Sequence, residues 1–507
     1  MTANPERVPV IVGVGQINDR PGSPEQGLDS GRLMIAALKA ADADAGGTSR
    51  GGWLADVESL ALVSQMSMPQ LNPLALTVAS GIGAAPAHLF ETALPNGDSP
   101  ILLLNQAANR IGAGEAAICA VTGGEALRTA AQLARARAAA AGSDHQPNVM
   151  RDAAHRRKVG YRQSYGLTVP VDVYPLYENA GRAAYGQTLR EGQAESGAIW
   201  AGFSEVAASN PSAWIQSAAS AEDVIAPTAD NRPIAFPYTK LQVANSSVNQ
   251  GAAFIVTSLA EARRRGVAEG RLIYVGAGAA AHESDDFLER DTFAASPSMA
   301  MSLTRALELN GVSADTIDHA ELYSCFPCVP KMARRVIGWP LDRPATVFGG
   351  LTFGGGPIGN YMSHAVACMV DKLREQPGTG LLFANGGYAT HNHTIVLTSQ
   401  PNPDVRFPQD YDYQAQADAA RGAVPELDKD YLGPATIETY TVHYGRQGEA
   451  KLGTVVARTP AGRRTLAAVL PHDEAMIAFL TDGQTEPVGA RGEVVAGSGD
   501  LREWKLV

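Results

Sequence analysis

Short apolar runs that end in glycine recur along the first four hundred residues, and each is followed by a helical pattern. Residues 10–15 (VIVGVG) and 272–278 (LIYVGAG) are the first runs of two such series. A continuous β-branched run of this length predicts a buried parallel strand that enters a loop. Helical periodicity follows at residues 31–41 and 299–309. The pattern therefore predicts an α/β fold.

The two series continue in the same order. Residues 56–64 (DVESLALVS) match residues 318–325 (DHAELYSC), and residues 118–124 (ICAVTGG) match residues 381–387 (LLFANGG). Matched segments in one order and at similar intervals predict a single α/β unit that is present twice.

The first copy differs from the second by an insertion. In the second copy, a closing strand at residues 394–399 comes soon after the double glycine, whereas in the first copy the corresponding strand lies at residues 254–258. Residues 126–242 lie in between and are rich in Ala, Arg, Gln and Tyr. We expect them to form a mostly helical lobe over one edge of the sheet, with helices at residues 178–190 and 194–208.

The pattern changes again near residue 401, where a Pro/Asp/Gln-rich segment predicts a linker. Alternating runs follow and predict five short strands, which suggest a small OB-type barrel, with a two-sheet sandwich as the alternative. The predicted strands are residues 437–444, 452–458, 463–470, 475–480 and 488–495. The predicted domains are 1–125 with 243–265, the inserted lobe 126–242, the second half 266–400, and the barrel 401–507.

Composition narrows the class of protein. A chain of 507 residues with 45% apolar residues can bury several cores, and no stretch of about 18 apolar residues or secretory signal is evident. We expect a soluble cytoplasmic protein that does not contact the membrane. The net charge is −11, and residues 401–507 carry 11 Lys/Arg against 16 Asp/Glu, so nucleic acid is not an expected partner. Four cysteines are too few for a disulfide framework, and no metal site is predicted.

A glycine-rich segment at residues 346–361 (TVFGGLTFGGGPIGNY) contains six glycines and lacks the Lys-Ser/Thr of a P-loop. Glycine at this density predicts backbone with positive φ or backbone pressed against a neighbour, which is either a ligand or the protein itself.

Several motifs together resemble the thiolase superfamily over the first four hundred residues. The duplicated halves and the insertion agree with that fold, a layered αβαβα arrangement, and the inserted lobe is most similar to the sterol-carrier-protein type of thiolase. The resemblance does not cover the predicted barrel. The matching motifs are residues 120–127 (AVTGGEAL), 245–253 (NSSVNQGAA), 321–326 (ELYSCF) and 349–359 (GGLTFGGGPIG).

The resemblance implies a set of reactive positions, and this sequence departs from most of them. The nucleophilic cysteine of the family corresponds to Gly97, the Gly-His-Pro histidine to Gly356, and the Cys-x-Gly cysteine to Ala384. The motif Asn or His corresponds to Tyr323. Losing the nucleophile of a covalent catalyst removes most of its rate acceleration. Thiolysis and Claisen condensation by the family mechanism are therefore expected to be absent or residual.

One thiol is retained, because Cys325 matches a family cysteine that resembles an acid/base; a buried structural cysteine is the alternative. The resemblance implies CoA or an acyl-CoA as ligand. Ser246 or Ser247 matches a pantetheine contact, and a turn-forming serine is the alternative. The predicted ligand contacts are Ser246, Ser247, Gly355, Gly356, Gly386 and Gly387, and His391 and His393 are further residues that could reach the cleft.

Three hypotheses follow. The first is a thiolase-like protein that binds CoA or an acyl-CoA without ordinary thiolase catalysis and whose barrel contacts a protein partner or a lipid-like ligand. The second is an aldolase of the same superfamily that cleaves a hydroxyacyl-CoA and uses Tyr323 as base, with Cys325 or Tyr361 nearby. The third is a non-catalytic scaffold subunit. The resemblance implies a homodimer through a strand at residues 88–94; the altered segment around Gly97 and the added barrel leave a monomer as the alternative.

Overall fold

The computed structural model describes residues 4–46, 52–142, 160–497, 499 and 501–506. The first half contains β1 (Pro9–Asn18), α1 (Ser30–Ala45), β2 (Ser59–Leu62), α2 (Ala75–Gly81), β3 (His88–Glu91), α3 (Ser99–Ala113), β4 (Ile118–Ala126) and α4 (Leu127–Ala140). The insertion continues with α5 (Tyr161–Ser164), α6 (Pro170–Ala184), α7 (Leu189–Ser209), α8 (Ala221–Ile225), β5 (Pro233–Ala235) and β6 (Tyr238–Thr239).

The two halves are then completed by β7 (Asn249–Ser258), α9 (Leu259–Arg264), β8 (Ile273–His282), α10 (Pro297–Asn310), β9 (His319–Leu322), α11 (Cys328–Ile337), α12 (Tyr361–Glu375), β10 (Thr379–Gly386) and β11 (His391–Thr398). The C-terminal region contains α13 (Gln414–Ala420), β12 (Gly433–Tyr444), β13 (Ala450–Arg458), β14 (Arg464–Val469), α14 (Glu474–Thr481), β15 (Arg491–Ala496) and β16 (Arg502–Leu506).

Strand order reflects the duplication. Among the described residues the main sheet runs β3-β2-β4-β7-β1-β8-β11-β10-β9, so that the first strands of the two halves meet at the centre. They meet over a short register, Val10 with Tyr274 and Ile11 with Ile273. The prediction that β1 and β8 are parallel strands is wrong, because β1 is antiparallel to β7 and β8 is antiparallel to β11. A continuous apolar run indicates that both faces of a strand are buried, but it does not indicate whether the strand is parallel or antiparallel to its neighbours.

Helices lie both between and outside the halves. Helices α3 and α12 each contact strands of both halves, whereas α1 packs on β1, β4 and β7, and α10 packs on β8 and β11. Gly15 permits the close packing of α1, since a Cβ there would lie 2.5 Å from the backbone nitrogen of Ala41. The result is a layered α/β arrangement, with helices in the middle and on the outer faces.

The inserted lobe is mainly helical, but the predicted helix at residues 178–190 is wrong at its end. Helix α6 ends at Ala184, and α7 begins at Leu189 behind the N-cap Thr188, whose hydroxyl accepts from the Glu191 N–H. A turn that contains Gly186, with φ of 69°, separates the two helices. The lobe also contributes β5 and β6, which extend the sheet of the C-terminal barrel.

The C-terminal strands β13-β14-β16-β15-β12 form the barrel in the described chain, and β12 pairs with β13 to close it. The strand predicted at residues 475–480 is wrong: this segment is helix α14, in which Asp473 accepts from the Met476 N–H and Met476 and Leu480 are buried one turn apart. A short apolar run fits either a strand or a helix, so its burial did not distinguish them. The strand that replaces it in the barrel is β16, whose Trp504 is fully buried.

The barrel is held firmly against the rest of the molecule. The fully buried Arg464 forms a bidentate ion pair with Glu438, with N···O distances of 2.7 and 2.8 Å, and donates to the Leu288 and Arg290 carbonyls. From the lobe, Arg182 forms a second bidentate pair with Glu486. The segment predicted as a linker also packs on the core, because Asp412 bridges to Ala280 of β8.

Candidate functional site

The site predicted from sequence begins at the turn before α3. The side-chain oxygen of Asn96 accepts from the Gly97 N–H at 3.0 Å and from the Gly387 N–H at 2.8 Å. This amide therefore ties the turn of the first half to the glycine pair of the second half. Helix α3 follows, with Asp98 at its N-cap position and Pro100 in its first turn. Burial raises the pKa of Asp98 to about 6.

Gly97 has no room for a side chain. A Cβ built on it would lie 2.5 Å from the hydroxyl oxygen of Tyr323 and closer still to the Asn385 carbonyl oxygen. Real Cβ atoms essentially never approach heavy atoms within 3.0 Å. Tyr323, which is 7% exposed, thus covers the position that the family nucleophile would occupy. Burial, together with nearby Cys325 and Asp98, raises the pKa of Tyr323 well above its usual value.

Cys325 lies two residues after Tyr323 and is also buried. Burial raises the pKa of its thiol to about 12. The ring of Tyr174 stacks on Phe326 at a centroid distance of 4.4 Å. Its hydroxyl donates to Asn385 Oδ1 at 3.1 Å and accepts from the Ala389 N–H at 2.9 Å. The lobe thus contributes a tyrosine to the interior of the site.

The residues that follow β10 are close to the turn at Gly97. A Cβ on Gly386 would lie 2.6 Å from Asn96 Cγ, so the asparagine side chain already occupies the space beside this glycine. Gly387 has a positive φ of 60°. Ala384 is fully buried. His393, one of the two histidines that could reach the cleft, does not reach it. It is fully buried with Nε2 3.1 Å from Asn105 Oδ1, and burial lowers its pKa to about 3. His391 is partly exposed and lies 3.6 Å from Asp285.

The glycine-rich segment has the backbone that its composition predicts. It contains a short π-helical turn, Gly350–Gly354, and Gly349, Gly350, Gly355 and Gly359 have positive φ. The neighbours are protein atoms: a Cβ on Gly355 would lie 2.8 Å from the amide nitrogen of Gln250. The Gly356 N–H donates to the Asn245 carbonyl at 2.8 Å, which joins this segment to the predicted pantetheine loop.

In that loop, Ser246 and Ser247 are exposed, and the Ser247 N–H donates to Asn245 Oδ1 at 3.1 Å. The Ala244 N–H donates to the Cys325 carbonyl at 3.1 Å. The structure therefore brings the predicted ligand contacts and Cys325 into one neighbourhood, with the serines on its outside and the two catalytic candidates buried.

Glu321 supports the glycine-rich segment and was missed from sequence. It is fully buried and accepts from the Tyr361 hydroxyl at 2.7 Å, the Thr346 hydroxyl at 2.8 Å and the Val347 N–H at 2.9 Å. Burial raises its pKa from 4.5 to about 7. The sequence showed an acidic residue in the motif at residues 321–326 (ELYSCF), but its hydrogen-bond partners lie on the glycine-rich segment and could not be identified from the motif.

The Tyr361→Phe variant should lose about 1.5–3 kcal/mol of unfolding free energy at pH 8 and about 0.5–1.5 kcal/mol at pH 5. Glu321 is largely ionised at pH 8 and protonated at pH 5, and a bond to an ionised acceptor is stronger. The pKa of Glu321 is higher in the folded than in the unfolded protein, so its ionisation lowers the stability of the fold as pH rises from 4.5 through 7. The Tyr361 hydroxyl stabilises the ionised carboxylate, and its loss makes this decrease in stability larger. Urea unfolding at the two pH values measures both losses.

Tyr161→Phe is the matched control, since the Tyr161 hydroxyl accepts from the Leu466 N–H, which does not titrate in this range. Its loss should be the same at pH 5 and pH 8. Equal losses for Tyr361→Phe at the two pH values would show that Glu321 does not ionise between them.

Comparison with known proteins decides the family. The chain is similar to a monomeric SCP2-thiolase-like protein type 1 (STLP1) from Mycobacterium smegmatis, with 30% identity, a TM-score of 0.82 and coverage of 100% of both chains. The chain belongs to this thiolase-like family. Residues 414–498 match the model of the thiolase-like protein type 1 additional C-terminal domain. A search of curated protein sequences found no match.

More distant structures share the fold of this thiolase-like protein. An Ltp2-ChsH2(DUF35) aldolase matches with 18% identity and a TM-score of 0.55, over 77% of this chain and 98% of that one. Human mitochondrial 3-ketoacyl-CoA thiolase in complex with CoA matches with 15% identity and a TM-score of 0.56, over 78% of this chain and 99% of that one. The thiolase superfamily fold predicted from the motifs, with its extra C-terminal domain, is thus confirmed.

No group of three or more His, Cys, Asp or Glu side chains is placed to hold a metal ion among the described residues. In the same part of the chain, no helix has the length and apolar character needed to cross a membrane.

Proposed function

We propose that this thiolase-like protein binds CoA or an acyl-CoA thioester and does not catalyse the thiolase reaction. The observation that carries the proposal is the packing of the Asn385 carbonyl and the Tyr323 hydroxyl against Gly97, which leaves no space for a nucleophilic side chain. The positions that match the family histidine and second cysteine are Gly356 and Ala384, neither of which can transfer a proton. The thiolase-like fold is retained around these positions, which supports ligand binding without the family's chemistry.

The exposed residues around the buried Tyr323 and Cys325 are the basis for proposing ligand binding. Ser246 and Ser247 are exposed and available to a ligand, whereas Tyr323 and Cys325 are buried. A related fold, the human 3-ketoacyl-CoA thiolase, has been crystallised with CoA. We therefore place the pantetheine arm against the serine loop, and the thioester end near the glycine-rich segment at Gly355 and Gly356 and the pair Gly386 and Gly387.

The aldolase alternative receives less support from the geometry. A tyrosine can act as a base only if its environment lowers its pKa, and burial raises the pKa of Tyr323. The thiol of Cys325 is likewise held in its protonated form. The similarity to the Ltp2-ChsH2 aldolase is at the level of the fold. The scaffold alternative differs from the proposal only in predicting no ligand.

A binding and turnover series tests the proposal. Titration calorimetry with CoA and acyl-CoAs of increasing chain length should detect binding, while a thiolysis assay with 3-ketoacyl-CoAs should detect no turnover above the rate without protein. The Ser246→Ala/Ser247→Ala double variant should bind about tenfold more weakly, as expected for lost hydrogen bonds. Gly270→Ala, at an exposed glycine with open space around it, is the control.

Different outcomes separate the hypotheses. Thiolysis above the rate without protein would contradict the proposal, most directly if it survives Cys325→Ala. No binding of any CoA compound would favour the scaffold alternative. Release of a ketone or aldehyde from a 3-hydroxyacyl-CoA that is lost in Tyr323→Phe would support the aldolase alternative instead.

The proposed partner surface and oligomeric state follow the fold. One side of the barrel is already occupied, because Thr439 and Thr454 donate to backbone carbonyls of Leu176 and Tyr165 in the inserted lobe. A protein partner would meet the opposite side. The strand that the family uses for dimers corresponds to β3, an edge strand with Phe90 46% exposed. The M. smegmatis relative is described as monomeric, and we propose the same state for this protein.

A further inference from the structure

Two arginines converge on one tryptophan at the side of the predicted ligand site. The guanidinium carbon of Arg20 lies 4.2 Å from the ring centroid of Trp214, and that of Arg128 lies 5.9 Å from it. Arg20 also donates to the Trp214 carbonyl. A cation over an indole face is attracted to the ring, and the hydrogen bond fixes the orientation of the Arg20 fork. Arg20 is thus held in place before any ligand arrives, and Arg128 contacts the same ring.

Neither guanidinium has a carboxylate partner among the residues that the structure describes. Within the described part of the chain, neither Arg20 nor Arg128 has a carboxylate oxygen within the 4.0 Å of an ion pair, and both residues are exposed. Other arginines here are paired: Arg374 meets Asp44 at 2.7 Å, and Arg464 meets Glu438. In a protein with a net charge of −11, two cations on one ring that have no carboxylate partner among the described residues favour a local site for an anion.

Hydrogen bonds place this pair beside the serine loop and the glycine-rich segment. The Arg128 N–H donates at 3.0 Å to the carbonyl of Val248, the residue after Ser247. The Trp214 N–H donates at 2.9 Å to the carbonyl of Gly354, the residue before Gly355. The two arginines therefore lie at the outer edge of the neighbourhood in which we place the pantetheine arm.

We propose that Arg20 and Arg128 form a subsite for a phosphate or diphosphate group, positioned by Trp214. Guanidinium groups bind phosphate oxygens through paired, charge-assisted hydrogen bonds, and two of them lie 4.2 and 5.9 Å from the Trp214 ring centroid. In its application to CoA the inference rests on the proposed function, because the diphosphate of CoA lies at the far end of its pantetheine arm. Binding of a phosphate anion by itself does not depend on that function.

Calorimetry with inorganic pyrophosphate, CoA and pantetheine tests the subsite in the full-length protein. Arg20→Gln and Arg128→Gln should each weaken the binding of CoA and pyrophosphate about tenfold, and the double variant about a hundredfold, as expected for lost bonds to a charged group. Pantetheine carries no phosphate, so its affinity should change by less than about twofold. Arg137→Gln, at an exposed arginine in the last turn of α4, should leave all three affinities unchanged.

The three probes separate the inference from the function. If wild type binds CoA and pantetheine but the arginine variants match it, the subsite is wrong and the proposed function stands. If wild type binds pyrophosphate, the variants lose it, and neither CoA nor pantetheine binds, the subsite stands and the proposed function is wrong. Absence of pyrophosphate binding together with unchanged CoA affinity in the double variant overturns the subsite. Thermal unfolding of each variant checks that the fold is retained.

Discussion

The Gly97→Cys variant is expected to lose about 3 kcal/mol or more of unfolding free energy and to gain no thiolase turnover. It restores the thiol that the family chemistry needs, yet its Cβ would lie 2.5 Å from the Tyr323 hydroxyl and closer to the Asn385 carbonyl. The carbonyl belongs to a paired strand and cannot move without disturbing β10 and β11. Urea unfolding and a thiolysis assay on the same preparation measure the two effects.

Companion variants locate the cause. Gly97→Ala should cost nearly as much as Gly97→Cys, because the clash arises at Cβ and not at the sulfur. Adding Tyr323→Ala should not restore stability, since the Asn385 carbonyl remains. Gly356→Ala, where the nearest atom to a new Cβ is 3.3 Å away, should cost about 1 kcal/mol or less. A stable Gly97→Cys protein with thiolase activity would mean that the site opens in solution.

Arg464→Met is expected to lower the free energy of unfolding by about 3–5 kcal/mol. Among the described residues, the substitution leaves the largely buried carboxylate of Glu438 with Arg458 as its one cationic partner. It also removes the donor from the Leu288 and Arg290 carbonyls. Breaking one side of a buried pair costs more than the pair contributes, because the remaining charge stays out of water. Urea unfolding followed by tryptophan fluorescence measures the loss, since Trp504 lies in the barrel core.

The neighbouring residue supplies the control. The side chain of Arg463 is 49% exposed and meets Glu426 and Asp428 at 3.3 and 3.4 Å, so Arg463→Met should cost less than about 1 kcal/mol. A small loss for Arg464→Met, comparable to that of Arg463→Met, would contradict the role assigned to the buried pair in joining the barrel to the second half.

The fold was predicted correctly from the sequence where the pattern of strands and helices occurs twice. Two matched series of strands and helices gave the duplication, and the strands that they predicted, such as β4 and β10, occur at the expected places. The glycine density at residues 346–361 predicted positive φ, which four of its glycines adopt among the described residues. A single segment without a repeat was predicted wrongly: the run at residues 475–480 has the composition of a strand, and its helix begins after the N-cap residue Asp473.

The closure of the site could not be predicted from the sequence. The motif comparison gave Gly97 as a lost nucleophile, but the space at that glycine depends on Tyr323 and Asn385, which come from distant segments. The same holds for Tyr174, which reaches the site from the inserted lobe, and for Glu321, whose donors lie on the glycine-rich segment. Sequence pattern reports the exposure and periodicity of a residue along its own element, whereas a cleft is closed by side chains of several elements.

The pairing of β5 and β6 with the barrel has a consequence for the order of synthesis. This hairpin is synthesised with the lobe. Its partner strand is β12, which it meets through Ala235 and His443, and β12 leaves the ribosome much later. A hairpin this short is not stable alone in water. During translation, the lobe therefore lacks the barrel strands and the Glu486 partner of Arg182 until these segments have been synthesised. A nascent chain truncated before the barrel should be a better chaperone client and protease substrate than the finished protein.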